Sequence, residues 1–166
     1  LKASALRLRI VLEPQAPLEK LRWPAGPEYV VMAYNLYGTH SGPGPKANDA
    51  LIRQLARRMS RLPGRNVMAV AAGGFDWSET GEVSPVTERQ ALALMPRNLS
   101  GSARDEASGS VYFDYVDEQG IRHTVWYADR VTLKRWIAVS KQEGIYKTAI
   151  WKLGGLATST LDGLRR

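Results

Sequence analysis

Four apolar segments predict the β-strands of this chain, and they cover residues 6–12, 29–34, 66–72 and 147–153. The second segment shows no alternation of apolar and polar positions, which is typical of a strand buried on both faces of a parallel sheet. Tyr34 and Asn35 stand at its end. Because function in such folds lies at the carboxyl ends of the strands, both side chains are candidates for a site. The alternative is that they only stabilise the loop that follows.

Two segments between the strands have the spacing of amphipathic helices. Residues 47–61 carry an apolar stripe, and so do residues 129–143, which Gly144 follows as a residue suited to a helix end. Strands that alternate with helices favour parallel pairing through right-handed crossovers. The pattern therefore predicts an α/β fold.

A long excursion, residues 73–128, separates the third strand from the fourth. Within it, two β-rich runs surround a polar turn that contains Gly120, so residues 111–127 are predicted to form a hairpin. Residues 98–109 are rich in serine, glycine and charge, which predicts a mobile surface loop.

The composition is that of one globular domain, with 166 residues, 44% of them hydrophobic, and five tryptophans. No apolar run reaches the roughly 18 residues that a membrane span requires. Because the sequence opens with neither an initiator methionine nor a signal peptide, we expect a piece of a longer polypeptide. Cysteine is absent and the only histidines are His40 and His123, so we expect no disulfide, metal site or other cofactor.

The formal net charge of +7 and the pI near 9.9 raise the alternative of a protein that binds nucleic acid or another anionic polymer. The densest basic segment, residues 53–65, overlaps the predicted helix with the apolar stripe. Its arginines are then expected on the solvated side of that helix. This placement favours an ordinary surface over a nucleic-acid interface.

The strand ends resemble those of a known family. Residues 30–35 are similar to a strand that ends in Met-x-Tyr-Asp, and residues 66–77 to one that ends in Gly-Tyr-Asp-Trp. Residues 144–154 are similar to a last strand that carries a tryptophan, here Trp151, and the Gly-Pro-Gly-Pro run of residues 42–45 is similar to a loop of the spore-type branch. In this order, the chain resembles the second half of a glycoside hydrolase family 18 barrel, the fold of chitinases and of bacterial cell-wall and spore-cortex N-acetylglucosaminidases.

The resemblance implies a partial (β/α)₈ TIM barrel that contains strands five to eight. Residues 1–166 would form its C-terminal half, with residues 73–128 as a hairpin-containing insertion between the last two strands. A complete barrel of this type needs about 250 residues, so four strands are missing. The catalytic glutamate of the family lies at the end of strand four and is therefore expected outside this sequence.

The resemblance also implies the roles of individual residues. Tyr34 matches the tyrosine that positions the substrate acetamide group, which makes it a supporting catalytic residue. The predicted substrate-binding residues are Asn35, Asp76, Trp77 and Trp151. Asn35 departs from the aspartate of the family, so it keeps the ability to form hydrogen bonds but carries no charge.

The leading hypothesis is that the parent protein is a glycosidase that acts on β-1,4-linked N-acetylglucosamine polymers, chitin or peptidoglycan, by a substrate-assisted retaining mechanism. The fragment itself is expected to be inactive. Asp114, Asp117 and Glu118 are not expected to replace the missing acid, because they belong to the hairpin and its turn. The rival hypothesis, to which Asn35 points, is a non-catalytic carbohydrate-binding or interaction protein of the same fold.

The expected partners are a polysaccharide substrate and either the missing half-barrel or a second copy of the chain, because half a barrel leaves sheet edges exposed. Neither nucleic acid nor a membrane span is expected. The resemblance implies a protein exported to the cell envelope of a bacterium.

Overall fold

The computed structural model describes residues 7–165, which form a mixed α/β fold with two sheets. The first sheet is parallel, has the order β1-β2-β3-β9, and consists of β1 Arg9–Leu12, β2 Glu28–Met32, β3 Val67–Ala71 and β9 Lys147–Trp151. The second is antiparallel, has the order β5-β4-β8-β7-β6, and consists of β4 Gly73–Ser78, β5 Val83–Val86, β6 Ala103–Arg104, β7 Val111–Val116 and β8 Arg122–Ala128. The helices are α1 Asp49–Met59, α2 Glu88–Leu94, α3 Arg130–Gln142 and α4 Thr158–Leu164, with a 3₁₀ turn at Met95–Arg97.

The main core lies on one face of the parallel sheet. Alternate residues of a strand point to opposite faces, so Tyr29 and Val31 of β2 pack with the apolar stripe of α1. Trp136 of α3 is fully buried in the same cluster, and its indole N–H donates to the Ser108 carbonyl oxygen at 2.8 Å. The packing of this face fixes the strands and leaves their carboxyl ends at one edge of the sheet.

The opposite face of the parallel sheet carries a smaller apolar cluster that consists of residues from the strands and their ends. It contains Val30, Met32, Tyr34, Val67, Ala69, Ala71 and Ala149. We refer to this surface as the open face. Its alanines leave space at the carboxyl end of the sheet.

The two longer helices each begin after a polar residue that caps them. Asn48 caps α1 by accepting a hydrogen bond from the Leu51 backbone N–H, and Asp129 caps α3 in the same way from Thr132. Gly144 follows α3 with a φ of 85°, a conformation that glycine adopts without strain. None of the helices within residues 7–165 combines the length and the apolar character needed to cross a membrane.

The structure extends the predicted insertion into a full antiparallel sheet. The predicted hairpin is present as β7 and β8, but β4 and β5 add two further strands on one side and β6 adds one on the other. A second core, which includes Phe113, Val125 and Tyr127, lies under this sheet. The insertion is therefore a packed unit and more than a hairpin on a loop.

Residues 98–109, predicted as a mobile surface loop, lie largely at the surface, and the second half of this segment is hydrogen-bonded to the rest of the chain. Asp105 accepts hydrogen bonds from the backbone and hydroxyl of Ser108, which is fully buried. Arg104 donates to the Gly109 carbonyl oxygen and to the Asp129 carboxylate. The mobility of the segment stays a prediction.

Candidate functional site

Tyr34 lies two residues beyond β2, on the open face at the carboxyl end of the sheet. The residue is only 8% exposed, and burial raises the pKa of its phenol. Among the described residues, none forms a hydrogen bond with the Tyr34 hydroxyl. The phenol therefore stays protonated near neutral pH and has a free donor.

Trp151 is the last residue of β9 and projects from the same face as Ala149, two residues before it. Its register partner on β3 is Ala71, and continuing the register of β2 and β3 by two residues places Tyr34 on the other side of Ala71. Tyr34 and Trp151 are thus separated by two strand spacings, about 10 Å. Trp151 is 63% exposed, and its peptide bond to Lys152 is cis. The structure brings these two predicted site residues onto one surface.

Asn35 is exposed and has a φ of 65°, in the left-handed region. Asparagine tolerates this conformation better than most side chains because its short amide forms local hydrogen bonds. The backbone turn at Asn35 directs the chain away from the sheet into the loop of residues 36–46. Its predicted contact with substrate stays a prediction, and the backbone gives this residue a structural role as well.

Trp77 lies inside the protein and supports that loop. It is 5% exposed, and its indole N–H donates to the Ser41 carbonyl oxygen at 3.0 Å. The ends of the loop are joined where the Leu36 N–H donates to the Lys46 carbonyl oxygen at 2.9 Å. The structure thus places Trp77 behind the loop that follows Tyr34, while its predicted contact with substrate stays untested.

Asp76 belongs to a polar network between strands of the antiparallel sheet. The Tyr115 hydroxyl donates to one carboxylate oxygen at 2.7 Å, and Nδ1 of His123 lies 2.9 Å from the other. Nε2 of His123 lies 3.4 Å from Asp117. Among the described residues, no hydrogen bond connects the Asp76 carboxylate with Tyr34.

The glycines before Asp76 allow close packing between strands. Gly73 and Gly74 are themselves the first residues of β4. A Cβ at Gly74 would lie 1.6 Å from the Trp126 carbonyl oxygen of β8. Glycine is required there because the two backbones approach too closely for any side chain.

Lys46 is a site residue that the sequence does not reveal. Its ammonium donates to the Ala72 carbonyl oxygen at 3.3 Å and lies 4.8 Å from the centre of the Phe75 ring. Burial lowers the pKa of Lys46 to about 8. A lysine after Gly-Pro-Gly-Pro has no distinctive spacing, and only the packing of β4 across the loop encloses it.

Glu88 is a second residue that sequence reasoning missed, and it is 4% exposed. One of its oxygens accepts from the Ala157 N–H at 2.8 Å and the other from the Thr160 hydroxyl at 2.6 Å. These bonds attach the start of α4 to the start of α2. The Thr87–Gln90 capping box marks the beginning of α2 and was the available signal for this helix.

The hairpin carboxylates have local partners. Asp114 accepts from Arg122 and from the Thr124 hydroxyl, and Glu118 accepts from Arg97. Burial raises the pKa of Asp114, but these hydrogen bonds outweigh it and the pKa is lowered overall. Within residues 7–165, histidine and acidic side chains form no group of three that could hold a metal ion.

Two of the cavities formed by the described residues lie at opposite ends of the parallel sheet. The one at the carboxyl end has a volume of about 320 Å³ and borders Trp151, Lys46 and Glu88. The one at the amino end is larger, about 1030 Å³, and borders Arg9, Glu28 and Lys147, which form ion pairs with one another. The smaller cavity is the better candidate because parallel sheets build their sites at the carboxyl ends.

Comparison with curated proteins finds glycosylases. The uncharacterized glycosylase YvbX of Bacillus subtilis is 29% identical over 140 residues, which cover 82% of this chain and 41% of that protein. The chain spans less than half the length of the curated relatives it matches. No protein-family model matches the chain.

Comparison with solved structures finds the same fold. The spore cortex-lytic enzyme SleL of Bacillus cereus superposes with a TM-score of 0.84 at 22% identity, over 96% of this chain and 40% of that one. A chitinase of Chromobacterium violaceum superposes with a TM-score of 0.85 at 21% identity, over 99% of this chain and 56% of that one. The resemblance to the C-terminal part of family 18 glycoside hydrolases, predicted from the strand ends, is confirmed at the level of the fold and of these sequence similarities.

Proposed function

We propose that this chain is the C-terminal half of the (β/α)₈ barrel of a glycosidase that acts on β-1,4-linked polymers of N-acetylglucosamine. Its four parallel strands would be strands five to eight, and residues 73–128 the insertion before the last strand. Support comes from the parallel sheet with its main core on one face and from the relatives, whose names include cortical fragment-lytic enzyme and chitinase. The activity belongs to the complete protein.

The observation that carries the proposal is the pair formed by Tyr34 and Trp151 on the open face. A protonated phenol with a free donor stands on one side of a strip of alanines, and an exposed indole stands on the other. An indole offers a flat apolar surface on which the C–H face of a sugar ring stacks. The phenol then donates to a polar group of the same sugar.

These positions suit a substrate-assisted mechanism, in which the 2-acetamido group attacks its own anomeric carbon. Tyr34 would donate to the acetamide oxygen and hold the group in line with that carbon. A separate acid must protonate the leaving oxygen. Glu88 is hydrogen-bonded to the start of α4, which does not suit it to this role, and we place the acid outside this chain.

The partners follow from the same proposal. The barrel would be completed by four further strands, supplied by the missing half or by a second copy of the chain, and the substrate would be chitin or peptidoglycan. A location outside the cytoplasmic membrane, in a bacterial cell envelope, agrees with relatives named for the lysis of spore cortex. An anionic-polymer function is disfavoured because Arg53 and Arg58 of α1 are paired with Glu143 and Glu19.

The test is hydrolysis of a chromogenic N-acetylglucosamine oligomer by the natural full-length protein and by residues 1–166 alone. The full-length protein should turn over, and the isolated chain should not. Tyr34→Phe should lower kcat/KM about 100-fold, because one donor to the developing charge is removed. The matched control is Tyr146→Phe, which removes a hydroxyl from a residue that is 75% exposed and precedes β9.

If residues 1–166 alone hydrolysed the oligomer, the proposal that the acid lies outside this chain would be contradicted. Binding of the oligomer without turnover by the full-length protein would favour the non-catalytic carbohydrate-binding alternative, to which the uncharged Asn35 points. Equal activities of Tyr34→Phe and the unmodified protein would remove Tyr34 from the mechanism.

A further inference from the structure

The backbone of Lys46 lies close to the strand end that carries Tyr34. Lys46 is the last residue of the loop that begins just after Tyr34 and Asn35. The Leu36 N–H donates to the Lys46 carbonyl oxygen at 2.9 Å, so the two ends of this loop lie side by side. The side chain of Lys46 therefore starts on the β2 side of the candidate site.

From there the side chain of Lys46 extends over the end of β3. Its ammonium donates to the carbonyl oxygen of Ala72, the residue that follows β3, at 3.3 Å. The Ala72 N–H in turn donates to the Trp151 carbonyl oxygen at 2.8 Å. Because β3 lies between β2 and β9 in the sheet, the ammonium is located between the strand ends that carry Tyr34 and Trp151.

The space next to this ammonium is open to a ligand. The cavity at the carboxyl end of the sheet borders both Lys46 and Trp151. Its other walls, the start of α2 and the loop between β9 and α4, are joined where the Arg89 N–H donates to the Gly155 carbonyl oxygen at 3.0 Å. A Cβ at Gly155 would overlap the side chain of Thr87, so these walls are in close contact. A sugar stacked on Trp151 would therefore have the Lys46 ammonium on the wall of the cavity beside it.

The ammonium of Lys46 has hydrogen-bonding capacity that the described residues do not use. An ammonium has three donors, and the Ala72 carbonyl oxygen takes one of them. The Phe75 ring, whose centre is 4.8 Å from the nitrogen, stabilises the charge through its π face. Within residues 7–165, Lys46 forms no ion pair, although lysines that are largely buried are usually paired. At least one donor is thus available to a ligand.

The carboxylate that borders the same cavity does not neutralise this ammonium. Glu88 accepts from the Ala157 N–H at 2.8 Å and from the Thr160 hydroxyl at 2.6 Å. Both of its oxygens are therefore directed toward the start of α4, and no hydrogen bond connects it with Lys46 among the described residues. The acceptor that the ammonium lacks has to be an oxygen of a bound molecule.

We infer that Lys46 donates a hydrogen bond to a hydroxyl oxygen of the sugar that stacks on Trp151. This inference rests on the proposed function and adds a substrate-binding residue to those that the family resemblance implies. The sugar would then have three contacts on this chain, with its face on the indole, its acetamide group at Tyr34 and a hydroxyl at Lys46. A hydrogen bond from an ionised donor is about twice as strong as one between neutral groups, so an uncharged sugar is a sufficient partner.

The titration of Lys46 supplies a second signature of this contact. Burial lowers the pKa of Lys46 to about 8, so the ammonium loses its proton between pH 7 and pH 9. Glu88 and Lys152 are the other charged groups that border the cavity, and the Tyr34 phenol, whose pKa is raised by burial, stays protonated. Because the neutral amine is the weaker donor, affinity for an uncharged N-acetylglucosamine oligomer should fall several-fold as the pH rises through this range.

The experiment measures binding of a thio-linked N-acetylglucosamine tetramer, which resists hydrolysis, to the natural full-length protein by isothermal titration calorimetry. The test variant is Lys46→Met, which keeps the length of the side chain and removes the ammonium. We expect its Kd to rise about tenfold and its affinity to become independent of pH between 7 and 9. Its urea midpoint should be unchanged or higher, because a largely buried charge is removed.

Lys134→Met, on the exposed side of α3, is the matched control and should keep the affinity and the pH dependence of the unmodified protein. Equal Kd values for Lys46→Met and the unmodified protein would overturn the inference and leave the proposed function standing. A loss of affinity accompanied by a lower urea midpoint, with binding to the unmodified protein independent of pH, would also overturn it, since Lys46 would then only attach the loop to β3. Failure of the unmodified protein to bind the tetramer would overturn the proposed function as well.

Discussion

Asn35 has two separable properties, an amide side chain at the end of β2 and a left-handed backbone with a φ of 65°. A Cβ-branched or apolar residue in this conformation costs about 1–2 kcal/mol, while glycine costs little. The amide can therefore be removed with or without strain in the backbone. This distinction allows the substrate-binding prediction for Asn35 to be tested apart from its structural role.

We expect Asn35→Ala to lower the free energy of unfolding by about 1 kcal/mol and Asn35→Gly to leave it nearly unchanged, as urea titrations would measure. If the amide binds substrate, Asn35→Gly should still raise the Kd for an N-acetylglucosamine oligomer several-fold, although its fold is intact. Unchanged affinity in the glycine variant would assign Asn35 to the turn alone. Asn35→Asp, which restores the residue type of the family, completes the series.

The loop of residues 36–46 joins two parts of the candidate site. It begins just after Tyr34 and Asn35, and Lys46 at its end borders the cavity at the carboxyl end of the sheet. One attachment of this loop to the insertion is the hydrogen bond from the Trp77 indole to the Ser41 carbonyl oxygen. The first connection of the chain has an equivalent bond, from the Trp23 indole to the Leu18 carbonyl oxygen at 2.9 Å. Two loops are thus stabilised by the same chemistry in different places.

Trp77→Phe should increase amide hydrogen exchange in residues 36–46 and weaken oligosaccharide binding, because the lost bond, worth about 1 kcal/mol, frees the loop that positions the site. Trp23→Phe is the matched control, and it should increase exchange around residues 17–24 without changing affinity. Exchange measured by mass spectrometry separates the two loops. Loss of affinity in Trp23→Phe of the same size would show that the effect is general destabilisation.

The elements that could be predicted from the sequence are those in which local pattern and burial agree. Residues 29–34 and 66–72 are continuous apolar runs and became β2 and β3, and the stripes of residues 47–61 and 129–143 became α1 and α3. The missed elements break local rules: β4 opens with two glycines, and α2 has only seven residues. Glu88 lies on α2 and the Phe75 ring of β4 lies against Lys46, so the cavity that these two residues border could not be predicted.

At the scale of the whole molecule, the parallel sheet formed by the described residues ends at two edge strands, β1 and β9, which have no further strand beside them within residues 7–165. Val11 of β1 pairs in register with Val30, so it projects from the open face, and it is 57% exposed. Free edges next to an apolar face favour association with another chain. The edge strands and the open face are therefore the surface at which we predict a partner, either the missing half-barrel or a second copy.

Residues 1–166 should associate through this surface in a concentration-dependent manner, measured by light scattering. Val11→Lys should shift the weight-average mass toward the monomer, because a charge on the open face opposes both strand addition and apolar contact. Val131→Lys is the matched control, since Val131 is 50% exposed on the outer side of α3 and should leave association unchanged. A monomeric unmodified chain at high concentration, or equal effects of the two substitutions, would show that the open face does not recruit a second copy. Association of the unmodified chain with the proposed N-terminal half-barrel in place of self-association would instead favour the other half of the barrel as the partner.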